Sequence, residues 1–391
     1  MAVTTERIAF PVVFPIVQAF RDTYGGAGDV VALECYLVRP VDIPSDTVLV
    51  MSHPIGGGGY LPIVNSLARA GHHIAYVNTR YRGIDVALIM ESVLIDLGAA
   101  IRHIKQRMGY AKVVLVGWSG GGAASLYFQE QAEHLTIADT PAGDPVDLEA
   151  LRALEPADGV ILMAAHTSRH QVLTDALDPS IIDEVDLSRR NPAMDLYDPA
   201  NPQQPPYDRS FLAEFRAAQV ARNRKITAWV LETLESLRAT GRPADERGFV
   251  VHGTCADPRW LDATIDRNER RPGTCWLGDP RTVNMGPVGL ARFCTLRGWL
   301  SQWSIDHARA DGRRAASNIS VPVLVVSNGA DDICVPQHSQ DVFDAVRHLD
   351  KELVTIAGAT HYYTGPDQAQ KLAQATDICS DWLRRHALTS T

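Results

Sequence analysis

Lys112-Val113-Val114-Leu115-Val116-Gly117-Trp118-Ser119-Gly120-Gly121-Gly122 decides how this chain reads. The aliphatic run 113–116 is three-quarters β-branched and carries no polar alternation, which suits a short strand covered on both faces. Gly117, Ser119 and Gly121 then spell G-x-S-x-G, and Ala123 to Phe128 continues as a helix. A strand that turns directly into a helix around one serine must turn so tightly that the serine backbone is strained and its hydroxyl stands above the sheet edge. Glycines two residues to either side remove the Cβ atoms that would collide there. The start of the helix also aims unpaired N–H groups and the positive end of its dipole at Ser119. Such a turn seats a nucleophile. No Lys-Ser or Lys-Thr follows the glycines, so the stretch is not a Walker-type phosphate loop, and Ser125 occupies the third-glycine position of a G-x-G-x-x-G pattern.

Upstream, Val31 to Val38 reads as a strand closed by Pro40, and 47–51 as a second that runs into Ser52-His53-Pro54-Ile55-Gly56-Gly57-Gly58-Gly59-Tyr60. A helix from about Pro62 to Ala70 stops at Gly71. A strand over 73–77 follows, and then a long helix over Val86 to Met108, with apolar residues at spacings of three and four and Asp85 as N-cap. Downstream, Gly159 to Ala165 is the next strand. The rhythm breaks from about Ser168 to Asn318, where a Pro-rich stretch (Pro199 to Pro206) and a long helix from Ser210 to about Thr240 appear. Strands resume at 321–326 and 353–356, and a helix from about Gln368 to His386 closes the chain. Continuous aliphatic strands alternating with helices predict a mostly parallel sheet flanked by helices. The irregular block reads as a mainly helical cap inserted between two core strands. The expected division is 1–168 and 319–391 for the two parts of the core, with 169–318 as the cap.

The chain has 391 residues, 46% hydrophobic and 21% charged, the balance of an ordinary globular protein. A net charge of −9 without a long basic run argues against a nucleic-acid partner. No window approaches the ~18 consecutive apolar residues of a membrane span. Met1 to Phe20 is apolar but has no basic leader and carries Pro11 and Pro15, so a secretory signal is not expected. Six cysteines without C-x-x-C spacing read as buried thiols of a cytoplasmic protein, not as a disulfide frame or a zinc site. Neither a metal nor a cofactor is expected. The oligomeric state is open, a homodimer being one possibility.

A serine hydroxyl needs a base, and the base needs an orienting carboxylate. Strand 321–326 is followed by Gly329-Ala330-Asp331-Asp332-Ile333-Cys334-Val335-Pro336, and strand 353–356 by Ala357-Gly358-Ala359-Thr360-His361. Loops at the carboxyl ends of parallel strands share one crevice, so Ser119, one of the two aspartates and His361 are expected to converge. Among the other histidines, His53 is expected to order its own loop, and His166, directly after a core strand, to be a hydrogen-bonded structural residue, with a place facing the pocket as the alternative. His72-His73 and the His252, Cys255, Asp257 group lack metal-site spacing. Trp260, Trp276, Trp299 and Trp303 are read as packing; any one of them lining the crevice would imply a bulky apolar substrate.

With these motifs in place the chain resembles an α/β-hydrolase with a large cap, over about residues 30–168 and 319–391. The resemblance implies an α/β-hydrolase fold with Ser119, His361 and an acid three residues after the loop glycine and four before the proline. Both counts select Asp332, with Asp331 as the alternative. Gly120 N–H is then one oxyanion donor. The other is expected from the loop after strand 47–51, where Pro54 replaces a glycine and cannot donate, leaving Ile55 or, second, Gly56. The expected activity is cofactor-free hydrolysis of a carboxylic ester, lactone or thioester of a medium-to-large apolar small molecule, through an acyl-enzyme. The same residues also admit an acyltransferase or a carbon–carbon bond hydrolase, and the scaffold alone admits a non-catalytic ligand-binding receptor.

Overall fold

The computed structural model describes residues 3–16, 23, 29–266 and 268–389. Part of the Met1–Phe20 stretch therefore lies outside the described residues. The chain order begins with β1 (Thr5–Pro15), β2 (Val30–Pro40), β3 (Thr47–Ser52), α1 (Pro62–Arg69), β4 (Ile74–Val77), α2 (Met90–Met108), β5 (Lys112–Trp118) and α3 (Gly120–Glu133). It continues with α4 (Leu148–Arg152), β6 (Gly159–Met163), α5 (Arg169–Ala176), α6 (Arg209–Ala239), β7 (Gly248–Val250), α7 (Pro280–Asn284), β8 (Phe293–Thr295), α8 (Leu296–Gln302) and α9 (Gly312–Ala316). The last elements are β9 (Val323–Asn328), α10 (Pro336–Ala345), β10 (Lys351–Ile356) and α11 (Gln368–Arg385).

Eight strands form one sheet in the order β1-β2-β4-β3-β5-β6-β9-β10. β1 and β2 are antiparallel to their neighbours, and from β4 through β3, β5, β6 and β9 to β10 every pair is parallel. Alternate residues of the central strands feed two cores. Val48, Val50, Val113, Leu115 and Leu162 pack with Val93, Leu94, Ile101 and Phe128 of α2 and α3. Leu49, Met51, Val114, Val116 and Ile161 pack with Ile63, Leu67 and Trp382 of α1 and α11 on the opposite face. Each strand is thus apolar throughout because both its faces are covered.

β1 was not legible as a strand because Pro11 and Pro15 interrupt it. A strand at the sheet edge tolerates proline, which removes a donor only where the ladder has one partner. The long helix begins at Met90, four residues later than expected, and Asp85 does not cap it. Its carboxylate instead accepts a hydrogen bond from Arg169 Nη2 at 2.6 Å. Among the described residues, the stretch between β6 and β9, which are adjacent in the sheet, contains five α-helices, two single-turn 3-10 helices and a two-stranded antiparallel ribbon, β7 with β8. Trp299 and Trp303, both fully buried, centre a separate core there with Ile226, Val230 and Leu300. Among the described residues no helix is long and apolar enough to cross a membrane.

Candidate active site

Parallel pairing brings the carboxyl ends of β3, β5, β6, β9 and β10 to one rim. Ser119 sits on that rim between β5 and α3 with φ 51 and ψ −122, a conformation that costs about 1–3 kcal/mol in a non-glycine residue. Hydrogen bonds hold it there: Ser119 N–H donates to Ala164 O at 3.1 Å, and Gly122 N–H donates to Ser119 O at 3.1 Å. Only glycine fits at 117, since a Cβ there would stand 2.5 Å from Gly122 Cα. The tight turn expected from G-x-S-x-G is therefore present in all its parts.

His361 follows β10, and its Nδ1 lies 2.7 Å from Asp331 Oδ2 with both residues buried. Asp332, the acid selected by counting, is not the partner. The loop turns at Asp331 so that its Oδ1 accepts from the N–H groups of Ile333 (2.9 Å) and Cys334 (2.7 Å), leaving Oδ2 for the imidazole. Asp332 offers its carbonyl to Trp260 Nε1–H at 2.5 Å. Burial, reinforced by the neighbouring Asp331 charge, pushes the Asp332 carboxyl up to about 6. The alternative weighed from sequence, Asp331, is thus the one the geometry selects.

The loops after β9 and β10 are tied to each other and to the insertion. Asn328 Nδ2 donates to Thr360 O at 2.9 Å and Tyr363 OH donates to Asn328 Oδ1 at 3.0 Å. Asn268 Nδ2 donates to Asp331 O at 2.8 Å, Glu269 N–H donates to Gly329 O at 2.8 Å, and the Glu269 carboxylate accepts from Gly358 N–H. Trp260, read as packing, is therefore also a hydrogen-bond donor to the acid loop.

Ser119 and His361 line one cavity of about 250 Å³ together with His53, Tyr60, Trp118 and Tyr362. The Ser119 hydroxyl rests 3.6 Å from Cys334 Sγ, a contact between residues 215 positions apart that no local pattern announces. Cys334 is fully buried, and burial raises its thiol pKa well above the ordinary value. Asp331, Cys334 and His361 bring donor atoms within 4.8 Å of one another, a spacing a soft divalent ion could share. Both Asp331 oxygens are already engaged by protein donors or by His361. A second cavity of about 240 Å³, lined by Leu196, Tyr197, Asp279 and Arg281 among others, contains none of these residues.

The loop after β3 differs from expectation. Ile55 N–H donates to His53 Nδ1 at 3.3 Å and Gly56 N–H to His53 O at 2.7 Å, so neither expected oxyanion donor is free. Gly57 N–H is held by Asn78 Oδ1 at 2.7 Å and Gly58 N–H by the Tyr76 hydroxyl at 2.5 Å, each an anchor on or just after β4. Gly120, by contrast, opens α3, and its N–H has no protein acceptor among the described residues. His53 orders its loop as expected. His166 is buried, but its Nδ1 has no partner among the described residues, so it is not the satisfied structural histidine expected. Burial and the nearby Arg169 charge hold His53 down to about 3 and His166 well below its ordinary value; burial also brings His338 down to about 3.

The sheet order, the strained serine between β5 and α3, and the acid and histidine after β9 and β10 are the features of an α/β-hydrolase fold. No family model and no curated protein matches the chain. Among solved structures it is similar to an esterase domain from Rhodothermus marinus (14% identity, 97% of this chain and 98% of that one, TM-score 0.47). It is also similar to a siderophore hydrolase from Aspergillus fumigatus (13%, 90% and 94%, TM-score 0.49). A monoacylglycerol lipase from Paleococcus ferrophilus is a third (17%, 88% and 96%, TM-score 0.45).

Proposed function

We propose that this protein is a serine hydrolase that cleaves a carboxylic ester, lactone or thioester through an acyl-enzyme, with Ser119 as nucleophile, His361 as base and Asp331 as its orienting acid. The observation that carries the reading is the buried Asp331–His361 pair at 2.7 Å, whose histidine lines the same cavity as a serine in a strained strand-to-helix turn. Asp331 holds the proton of His361 on Nδ1, which leaves Nε2 to take the hydroxyl proton. Among the described residues the Ser119 hydroxyl makes no hydrogen bond to His361 and rests against Cys334 Sγ, so the reading requires it to reach that nitrogen in the substrate complex, where catalytic hydrogen bonds commonly tighten. Ser119 then adds to the carbonyl carbon, His361 returns the proton to the leaving oxygen or sulfur, and water repeats the sequence to release the acid.

The substrate is apolar where it is enclosed, because Ile55, Leu61, Tyr76, Trp118 and Tyr362 supply the walls. A cavity of about 250 Å³ falls below the usual range for drug-sized ligands of roughly 300–1,000 Å³. Tyr60, highly exposed at the mouth, meets whatever extends beyond.

Purified protein treated with a fluorophosphonate should lose esterase activity as it gains one covalent adduct, and Ser119→Ala should show neither turnover nor adduct. An adduct on the Ser119→Ala protein would end the assignment.

A further inference from the structure

An oxyanion forming at the attacked carbonyl needs donors that converge on one point. Gly120 N–H is available, but the main-chain groups of the facing loop are not. Pro54 has no N–H, and those of Ile55, Gly56, Gly57 and Gly58 are each hydrogen-bonded within the protein. What confronts Gly120 is a side chain. His53 Nε2 lies 2.9 Å from the point a Cβ on Gly120 would occupy. Its Nδ1 accepts the Ile55 N–H, which in a neutral imidazole places the proton on Nε2. That Nε2 has no acceptor among the described residues, and His53 lines the cavity with Ser119. Burial first, then the charges of Arg169 and His361, bring its pKa down to about 3, which favours the uncharged ring. His166 Nε2 is 3.3 Å from the same point, but among the described residues no hydrogen bond sets its tautomer and it is not one of those lining the cavity.

We propose that His53 Nε2–H is the second oxyanion donor, a side-chain group doing what a main-chain N–H of this loop was expected to do. The assignment rests on the acyl-transfer reading above. As Ser119 Oγ bonds to the carbonyl carbon, the carbonyl π pair moves to oxygen and the serine proton passes to His361 Nε2. The resulting O⁻ accepts hydrogen bonds from Gly120 N–H and His53 Nε2–H. When the pair returns, the bond to the leaving group breaks, and that group departs with the proton from His361. His53 exchanges no proton at any stage.

Two variants separate this role from mere ordering of the loop. His53→Asn places an amide where Nδ1 stood and can still accept from Ile55, but has nothing at the Nε2 position. His53→Gln carries an N–H to the Nε2 position and lacks the Nδ1 acceptor. With p-nitrophenyl acetate and butyrate, His53→Asn should lower kcat roughly 100–1,000-fold with little change in KM, the usual loss for one oxyanion donor. His53→Gln should recover at least tenfold of it. Equal activity in His53→Asn and wild type, or an equal fall in both variants, would overturn the proposal. Turnover surviving in Ser119→Ala would instead overturn the acyl-transfer reading on which it rests, so the two failures are distinguishable.

Discussion

His361 Nδ1 and Asp331 Oδ2 stand 2.7 Å apart, and the adjacent carboxylate of Asp332 takes no part in the pair. Two neighbouring acids therefore have opposite consequences when neutralised. Asp331→Asn should lower kcat by about 10⁴, since an amide cannot hold the same tautomer of the imidazole. Asp332→Asn should stay within about tenfold of wild type on the same argument. Steady-state kinetics on the two variants decide the matter, and the reverse order would restore the acid that counting from Pro336 selects.

Asp332 has a pH signature of its own. Burial raises its carboxyl from 3.8 to about 6 in the folded protein. The native state therefore binds the proton more tightly than the unfolded chain, and its stability falls as pH rises from about 4 to about 6. Above that window the charged group costs the fold at most about 3 kcal/mol, less whatever solvent screening removes. Urea melts of wild type and Asp332→Asn should agree near pH 4 and separate by pH 7, with the variant more stable. Parallel curves across that range would mean the carboxyl is not raised.

Cys334 lies against the Ser119 hydroxyl, yet its thiol is fully buried and protonated. Thiol alkylation requires an accessible thiolate. Iodoacetamide at pH 8 should leave esterase activity intact over hours while a fluorophosphonate abolishes it. Cys334→Ala should keep kcat within about tenfold, because the sulfur is packing next to the nucleophile and not a participant in the reaction. Rapid inactivation by the alkylating reagent would give the thiol a part in the chemistry.

The turn around Ser119 leaves no room at residue 117. A Cβ on Gly117 would lie 2.5 Å from Gly122 Cα and 2.8 Å from Gly121 O, both main-chain atoms that cannot swing aside. Gly117→Ala should cost at least the roughly 1–3 kcal/mol of an overpacked core and should abolish fluorophosphonate labelling. A wild-type melting midpoint together with normal labelling would show that the turn is not built as described.

The parallel sheet was readable because its strands are buried on both faces and so appear as unbroken aliphatic runs, Val113 to Val116 above all. β1 was not, because at the edge of the sheet proline is tolerated and the pattern it leaves resembles a loop. That Ser119 and His361 would share one cavity was readable from position alone, one in a turn that tolerates little else and one just past a strand end. The aspartate that pairs with His361 was readable only to two candidates. Choosing between Asp331 and Asp332 depends on which way the loop turns, and that is set by the N–H groups of Ile333 and Cys334 closing on one carboxylate oxygen. Nothing in the spelling of residues 329–336 records that closure. The loop after β3 misled for a related reason: glycines suggest available N–H groups, but Asn78 and Tyr76 hold two of them from β4 and its end.

Trp260, Asn268 and Glu269, all from the insertion, reach across to grip the loops that carry Asp331 and His361. The residues lining the cavity all come from outside the insertion, yet the insertion and the two loops after β9 and β10 are therefore not separable modules. Exchanging the insertion for one of another shape would remove these hydrogen bonds and with them part of what holds Asp331 and His361 in place. A graft that kept Trp260, Asn268 and Glu269 in place would preserve the grip on both loops while the rest of the insertion changed.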